Sequence, residues 1–159
     1  MNKLHLRQKM ITKRKMLNST EAGCAVVQLL PRVLKDRNIH AVHIYNASTV
    51  LNEVATAPIV KYIEENFPNV AISQPDQSTD ATMLTEKFDI IFAPIVAFDA
   101  NLNRIGMGSG WYDRFLARNL QALKIGIAYD ESYVQKIESE PHDVRLDIIV
   151  TPKGLLYAH

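Results

Sequence analysis

The sequence predicts an α/β fold with a largely parallel central sheet flanked by helices, a Rossmann-like three-layer sandwich. Three observations carry this reading. Short apolar, β-branched segments alternate with amphipathic ones along the whole chain. Two apolar segments, FDIIFAPIVAF (88–98) and LKIGIAYD (123–130), are continuous, the pattern of strands buried on both faces. No internal repeat or low-complexity tract interrupts the pattern, and 159 residues suit one domain over 1–159 with a substantial core.

Taken in order, residues 3–17 read as a helix, with neither Gly nor Pro in the run. Asn18, Ser19 and Thr20 form a capping cluster that ends it and starts a second helix through AGCAVVQLL (22–30), which Pro31 kinks or shortens. HAVHIYNAS (40–48) reads as a strand and 54–67 as a helix opening near Pro58. A short strand is expected at 70–73 and a polar turn at 74–82. After the strand at 88–98 comes a glycine-rich segment, then an amphipathic helix at 112–122. A strand at 123–130, a short helix at 131–138 and a last strand at 145–154, closed by a turn, complete the chain.

Composition narrows the function. Hydrophobic residues make up 47%, and no apolar run reaches membrane-spanning length, which argues against a transmembrane helix. The single cysteine, Cys24, cannot form an internal disulfide and reads as a small buried hydrophobe; a reducing, cytoplasmic setting is expected. The net charge of +1 is unevenly spread: residues 1–37 hold nine Lys/Arg but only Glu21 and Asp36 as acids. On a helix, Lys3, Arg7 and Arg14 fall within about 40° of one another, so the first element carries a cationic stripe. Nucleic acid, an organelle import machinery and a phosphorylated ligand are the three partners such a stripe suits.

The segment NRIGMGSGWYDRF (103–115) bears on that choice. It is neither the dinucleotide fingerprint nor a Walker A loop. Its physics is similar all the same. Gly106, Gly108 and Gly110 suit positive φ, which lets backbone N–H groups converge on an anion, and a helix starting near Tyr112 adds its positive dipole end. Arg104 offers a permanent planar charge, and Asp113 stands where an acid holds magnesium. The plainer alternative is a tight connection with Asp113 as an ordinary first-turn acid. Asp147 is either a second metal carboxylate or a strand-end acid, and Glu53 either a cleft residue or a solvated one. Trp111 and Tyr112 either stack on an aromatic ligand or anchor the loop. His40 and His43 point to opposite strand faces and make a poor metal pair, while His5, His142 and His159 join no ligand spacing. No catalytic Ser or Cys motif is present.

The stretch FAPIVAFDANLNRIGMGSGWYDRFL (92–116) resembles the signature of the 5-formyltetrahydrofolate cyclo-ligase family, also called methenyltetrahydrofolate synthetases. That signature is an apolar strand ending in Pro, a Phe-Asp, then Arg-aliphatic-Gly-x-Gly-x-Gly-aromatic-Tyr-Asp. Lys3 and Arg7 resemble the Lys-x-x-x-Arg of the family's first helix, NEVAT (52–56) its Glu-aliphatic-x-Thr, and RLDIIVT (145–151) its C-terminal strand. The resemblance implies ATP- and magnesium-dependent conversion of 5-formyltetrahydrofolate to 5,10-methenyltetrahydrofolate, ADP and phosphate. It implies ATP contacts from Lys3, Arg7, Arg104, Gly106, Met107, Gly108, Ser109, Gly110, Trp111 and Tyr112. It places folate against Ser48, Glu53, Met107, Gly108, Ser109, Gly110 and Trp111, gives Glu53 and Arg104 catalytic roles, and makes Asp113 and Asp147 magnesium ligands. The expected partners are these small molecules rather than nucleic acid or membrane, with a monomer or weak homo-oligomer. In typical members a longer segment, rich in apolar and aromatic groups, precedes the glycine-loop strand and covers the pterin. Here QPDQSTDATMLTEK (74–87) contains no aromatic, and Met107 and Ser109 stand where some members carry basic residues. An alternative reading is therefore a nucleotide-binding relative with lost or altered folate turnover.

Overall fold

The computed structural model describes residues 1–74 and 77–158. Pro75 and Asp76, within the expected polar turn, and His159 lie outside the described residues.

The chain opens with α1 (Lys3–Arg14), capped by the Asn2 side chain, which accepts from the His5 amide at 2.8 Å. The capping cluster then starts α2 (Ser19–Leu34), where the Asn18 side chain accepts from the Glu21 amide at 3.0 Å. Pro31 does not shorten α2, which runs on to Leu34. Burial of Leu30, Val33 and Leu34 on either side of it outweighs the missing N–H. Cys24 corrects the expectation of a buried thiol. The buried stripe of α2 runs through Ala22, Gly23, Val26, Leu30, Val33 and Leu34, and Cys24 lies off it, exposed.

Then follow β1 (Ala41–Ile44), α3 (Ala57–Asn66), β2 (Ala71–Ser73) and β3 (Ile90–Pro94). The apolar run at 88–98 is not one strand. After Pro94 the chain bends into β4 (Ala97–Phe98), which pairs antiparallel with β5 (Arg104–Ile105). The buried Asp99 carboxylate fixes this hairpin by accepting from the Asn101 and Asn103 amides, the Asn103 side chain and the Ile137 amide. Next come α4 (Trp111–Arg118), β6 (Leu123–Ile127), β7 (Ile148–Thr151) and β8 (Gly154–Tyr157). The strand β8 was not expected; residues 152–153 make the turn into it, and it pairs antiparallel with β7. The helix expected at 131–138 is reduced to a 3-10 turn at Asp130–Ser132. Beyond it, the Val134 amide donates to the Phe98 carbonyl and the Ile137 amide to Asp99, so backbone groups a helix would use internally are bound to the hairpin instead.

The main sheet has the order β2-β1-β3-β6-β7-β8, with every pair parallel except β7–β8. Ile90 to Ala93 of β3 are all buried, so both faces of the central strand are covered. From β1 the chain passes outward to β2 and then returns to β3 on β1's other side. The carboxyl ends of β1 and β3 are thus the switch point of the sheet, where open α/β sheets leave a crevice.

Candidate functional site

A cleft of about 340 Å³ opens at that switch point. The loop after β1 supplies Asn46, Ser48, Leu51 and Glu53, β3 supplies Pro94, and β5 with the start of α4 supplies every residue from Arg104 to Asp113. From α1 come Lys3 and Arg7, and from the loop before β7 come Glu140, His142 and Asp143. All the expected ligand-contacting residues are therefore brought together except Asp147.

The glycine segment owes its course to its sequence. Gly108 and Gly110 have φ of 103° and 70°, conformations that disfavour any side chain, and Gly110 caps α4. Gly106 does not adopt positive φ; a Cβ there would lie 2.8 Å from Nη1 of Arg104, so glycine leaves room for the guanidinium. Arg7 reaches over the segment: its Nε donates to the Gly106 carbonyl at 2.7 Å, and its guanidinium lies where a Cβ on Gly108 would touch it. The Arg104 side chain is buried, 5.7 Å above the Tyr112 ring, with Nη2 at 3.5 Å from Oδ1 of Asp113 and no partner for its Nε among the described residues.

The carboxylates face these cations. Lys3 Nζ lies 2.6 Å from Oδ2 of Asp143 and 3.1 Å from Oε2 of Glu140. Partial burial pulls the Lys3 ammonium down, but these bonds outweigh it and its pKa is raised. Burial likewise pushes Asp143 up, yet the bonds from Lys3 and the Glu140 amide hold it below the ordinary carboxylate range. Asp113 Oδ1 also accepts from the Val144 amide at 3.2 Å, which draws Asp113 and the 140–144 loop to one wall. Carboxylate oxygens of Glu140 and Asp143 and a ring nitrogen of His142 lie within 4.8 Å of one another.

Asp147, expected as a metal carboxylate, is not brought to the cleft. It precedes the first residue of β7, at the amino edge of the parallel sheet, and its Oδ2 accepts from the Lys124 amide at 2.8 Å. The cleft is at the opposite, carboxyl edge. Asp143, four residues earlier, is the acid that the loop carries to Asp113's wall. The signal for it was the acid-rich EPHD immediately before the strand, which the sequence does not separate from Asp147.

Glu53 stands on the other wall, 8% exposed. Its Oε2 accepts from the Ser48 amide at 2.7 Å, and its carbonyl accepts from Ser19 Oγ at 2.7 Å. Burial raises its pKa, while the Ser48 bond and the charge of Arg14 pull it back. His43 lies beneath the site; its Nε2 is 3.3 Å from the Tyr112 hydroxyl, and its ring packs on Phe115 and Trp111. Trp111 Nε1 donates to the Thr79 carbonyl at 2.9 Å, and the 3-10 turn Ala81–Met83 packs on α4. The short 77–87 stretch thus covers the Trp111 end of the cleft.

Fold and cleft together define an α/β protein whose polar cleft, with cations and carboxylates facing one another, sits at the switch point of its sheet. The sequence profile of the 5-formyltetrahydrofolate cyclo-ligase family matches residues 29–152, and the chain belongs to that family. Among curated relatives, the 5-formyltetrahydrofolate cyclo-ligase of Haemophilus influenzae is 39% identical over 82 residues, 50% of this chain and 44% of that protein. The matched segment spans less than half the length of that relative. The solved 5,10-methenyltetrahydrofolate synthetase of Mycoplasma pneumoniae superposes with a TM-score of 0.81 at 26% identity, covering 96% of this chain and 99% of that one. The Aquifex aeolicus synthetase, with a TM-score of 0.74 at 24% identity over 99% of this chain and 93% of its own, shares the fold. No helix among the described residues is long and apolar enough to cross a membrane.

Proposed function

We propose that this chain is an ATP- and magnesium-dependent ligase of the cytoplasm that converts 5-formyltetrahydrofolate to 5,10-methenyltetrahydrofolate, releasing ADP and phosphate. The observation that carries the reading is the convergence, on one cleft, of two cations from α1, the Arg104–Tyr112 cradle and a Glu53 held on the opposite wall. A formyl oxygen on nitrogen is amide-like, a poor nucleophile and a worse leaving group. Its attack on the γ-phosphorus of ATP displaces ADP and converts it into a phosphate ester. N10 then attacks the activated carbon, the N10 proton departs, and phosphate leaves as the ring closes. The protein's task is positioning and neutralising charge.

In this reading Lys3, Arg7 and Arg104 receive the phosphates, with backbone N–H groups of 106–110 and the amino end of α4 beside them. Arg104 acts on the charge that develops in transfer. Glu53 faces the reacting end of the folate, with Ser48 and the 107–111 stretch lining its site. The hard-oxygen donor set of Asp113 and Asp143 suits magnesium, which supplies charge neutralisation on the phosphates when bound. Lys3, bonded to Asp143, joins the phosphate end to the metal end.

The test mixes protein, ATP, magnesium and 5-formyltetrahydrofolate and follows methenyl absorbance. Product that requires all three supports the reading; ATP binding without product favours a nucleotide-binding relative that has lost folate turnover.

A further inference from the structure

We propose that Arg14, which does not line the cleft, is a positioning residue for Glu53: its buried guanidinium fixes the 48–53 loop and places a permanent positive charge behind the Glu53 carboxylate. The proposal rests on the reading of Glu53 as the group facing the folate's reacting end.

Arg14 ends α1, the helix that carries Lys3 and Arg7, yet it is 2% exposed. Its Nε donates to the Leu51 carbonyl at 2.7 Å, within the Glu53 loop, and its Nη1 to the Ile95 carbonyl at 3.0 Å, just past β3. Asn52, whose φ of 47° lies in the left-handed region that asparagine tolerates, donates its side-chain amide back to the carbonyls of Arg14 and Leu17 at 2.7 and 2.9 Å. One guanidinium thus spans the Glu53 loop and the strand leading into the Arg104 hairpin. Its fork, rather than a single ammonium, makes the two divergent bonds.

Two neutral carbonyls are poor compensation for a buried guanidinium, and Nη2 has no partner among the described residues. The carboxylate whose charge acts on it is Glu53, and Arg14 is in turn the cation acting on Glu53. The other titratable groups facing this pair are Tyr45 beyond β1, Tyr129 beyond β6 and Tyr112 on α4. Burial raises the pKa of all three, so they are uncharged across the working range. Tyr45 and Tyr129 spend their hydroxyl protons on the carbonyls of Val54 and Asn52, which hold the loop without balancing Glu53. Removing Arg14's charge leaves burial to raise Glu53 further, so a reaction needing the carboxylate fails first at low pH.

The experiment compares the full-length protein with Arg14→Gln and Arg14→Lys, following kcat/KM for 5-formyltetrahydrofolate from about pH 5.5 to 8.5. Arg14→Gln is expected to lose at least about three-fold more at the acid end than at the alkaline end, with KM for ATP changed less than about two-fold. Arg14→Lys, which keeps the charge but loses the fork, keeps the parental pH dependence with a lower kcat. An equal loss at every pH in Arg14→Gln overturns the proposal, since a purely structural residue gives that result. Where Arg14→Gln does not fold by circular dichroism, Arg14→Lys decides: a profile displaced to higher pH despite the retained cation overturns it. A carboxyl-carbon NMR titration of Glu53, assigned with Glu53→Gln and run without substrates, separates this inference from the proposed function. If no cyclisation occurs, the function fails, yet Glu53 titrating at higher pH in Arg14→Gln than in the parent still supports the positioning. Identical titrations overturn it.

Discussion

His43 shows how strongly packing sets a side chain's chemistry here. Enclosed by Phe88, Trp111, Tyr112 and Phe115, it has its pKa lowered by burial to about 4 from an ordinary 6.5. A base with a depressed native pKa takes up protons preferentially in the unfolded chain. Its contribution to stability is therefore complete above pH 6.5 and is lost as pH falls from 6.5 to about 4. Thermal unfolding across that window should decline less steeply in His43→Phe than in the parent, and parallel declines would refute the assignment. Two further substitutions test the proposed site. Arg104→Ala is expected to lower kcat/KM for ATP by about 100-fold while the protein still folds; an unchanged ATP dependence would remove Arg104 from the mechanism. Asp143→Asn is expected to raise the magnesium needed for half-maximal rate by about ten-fold or more, and Asp147→Asn to leave it within about two-fold. The reverse ranking would return the metal to the strand-end acid.

At the scale of elements, the cleft depends on where α2 meets the Glu53 loop. A Cβ on Gly23 would collide with the Ala55 carbonyl oxygen, a backbone atom that cannot rotate away. Gly23→Ala should therefore displace the loop, destabilise the fold by about 1–3 kcal/mol and raise KM for folate more than for ATP. Denaturant unfolding beside steady-state kinetics checks both halves. The sequence made most elements legible because helix and strand periodicity are local properties. It failed where long-range bonds overrule them. ESYVQKIE has a helical pattern, but Val134 and Ile137 give their amides to the β4–β5 hairpin. The same hairpin bends the apolar run at 88–98, held by its β4–β5 pairing and by the buried Asp99 with its four N–H donors. In the site, the glycine segment, Lys3, Arg7 and Glu53 were readable because each sits in a short motif. Asp143 was not, and Arg14 was legible only as a member of the cationic stripe and not as a buried anchor of the Glu53 loop, because their places depend on how the 140–146 loop and the α1–α2 corner fold back.

At the scale of the whole molecule, the uneven charge of the sequence resolves into geometry. The basic first helix lies across the glycine segment, with Lys3 bonded to Asp143 and Arg7 to the Gly106 carbonyl, so cations from one end of the chain meet carboxylates near the other. The short stretch before β3, which lacks aromatic residues, still seats Ala81 in the core and binds Trp111 through the Thr79 carbonyl, while Met83 stands 72% exposed. The proposed reaction at this cleft joins cleavage of ATP, by transfer of its γ-phosphoryl group to the formyl oxygen, to closure of a folate ring. Its most direct test is simultaneous measurement of methenyl absorbance and ADP release in the presence of ATP, magnesium and 5-formyltetrahydrofolate. One ADP for each methenyl product, and neither without the folate, is expected; ADP release with no methenyl product, or no reaction despite bound ATP, would overturn the proposed reaction.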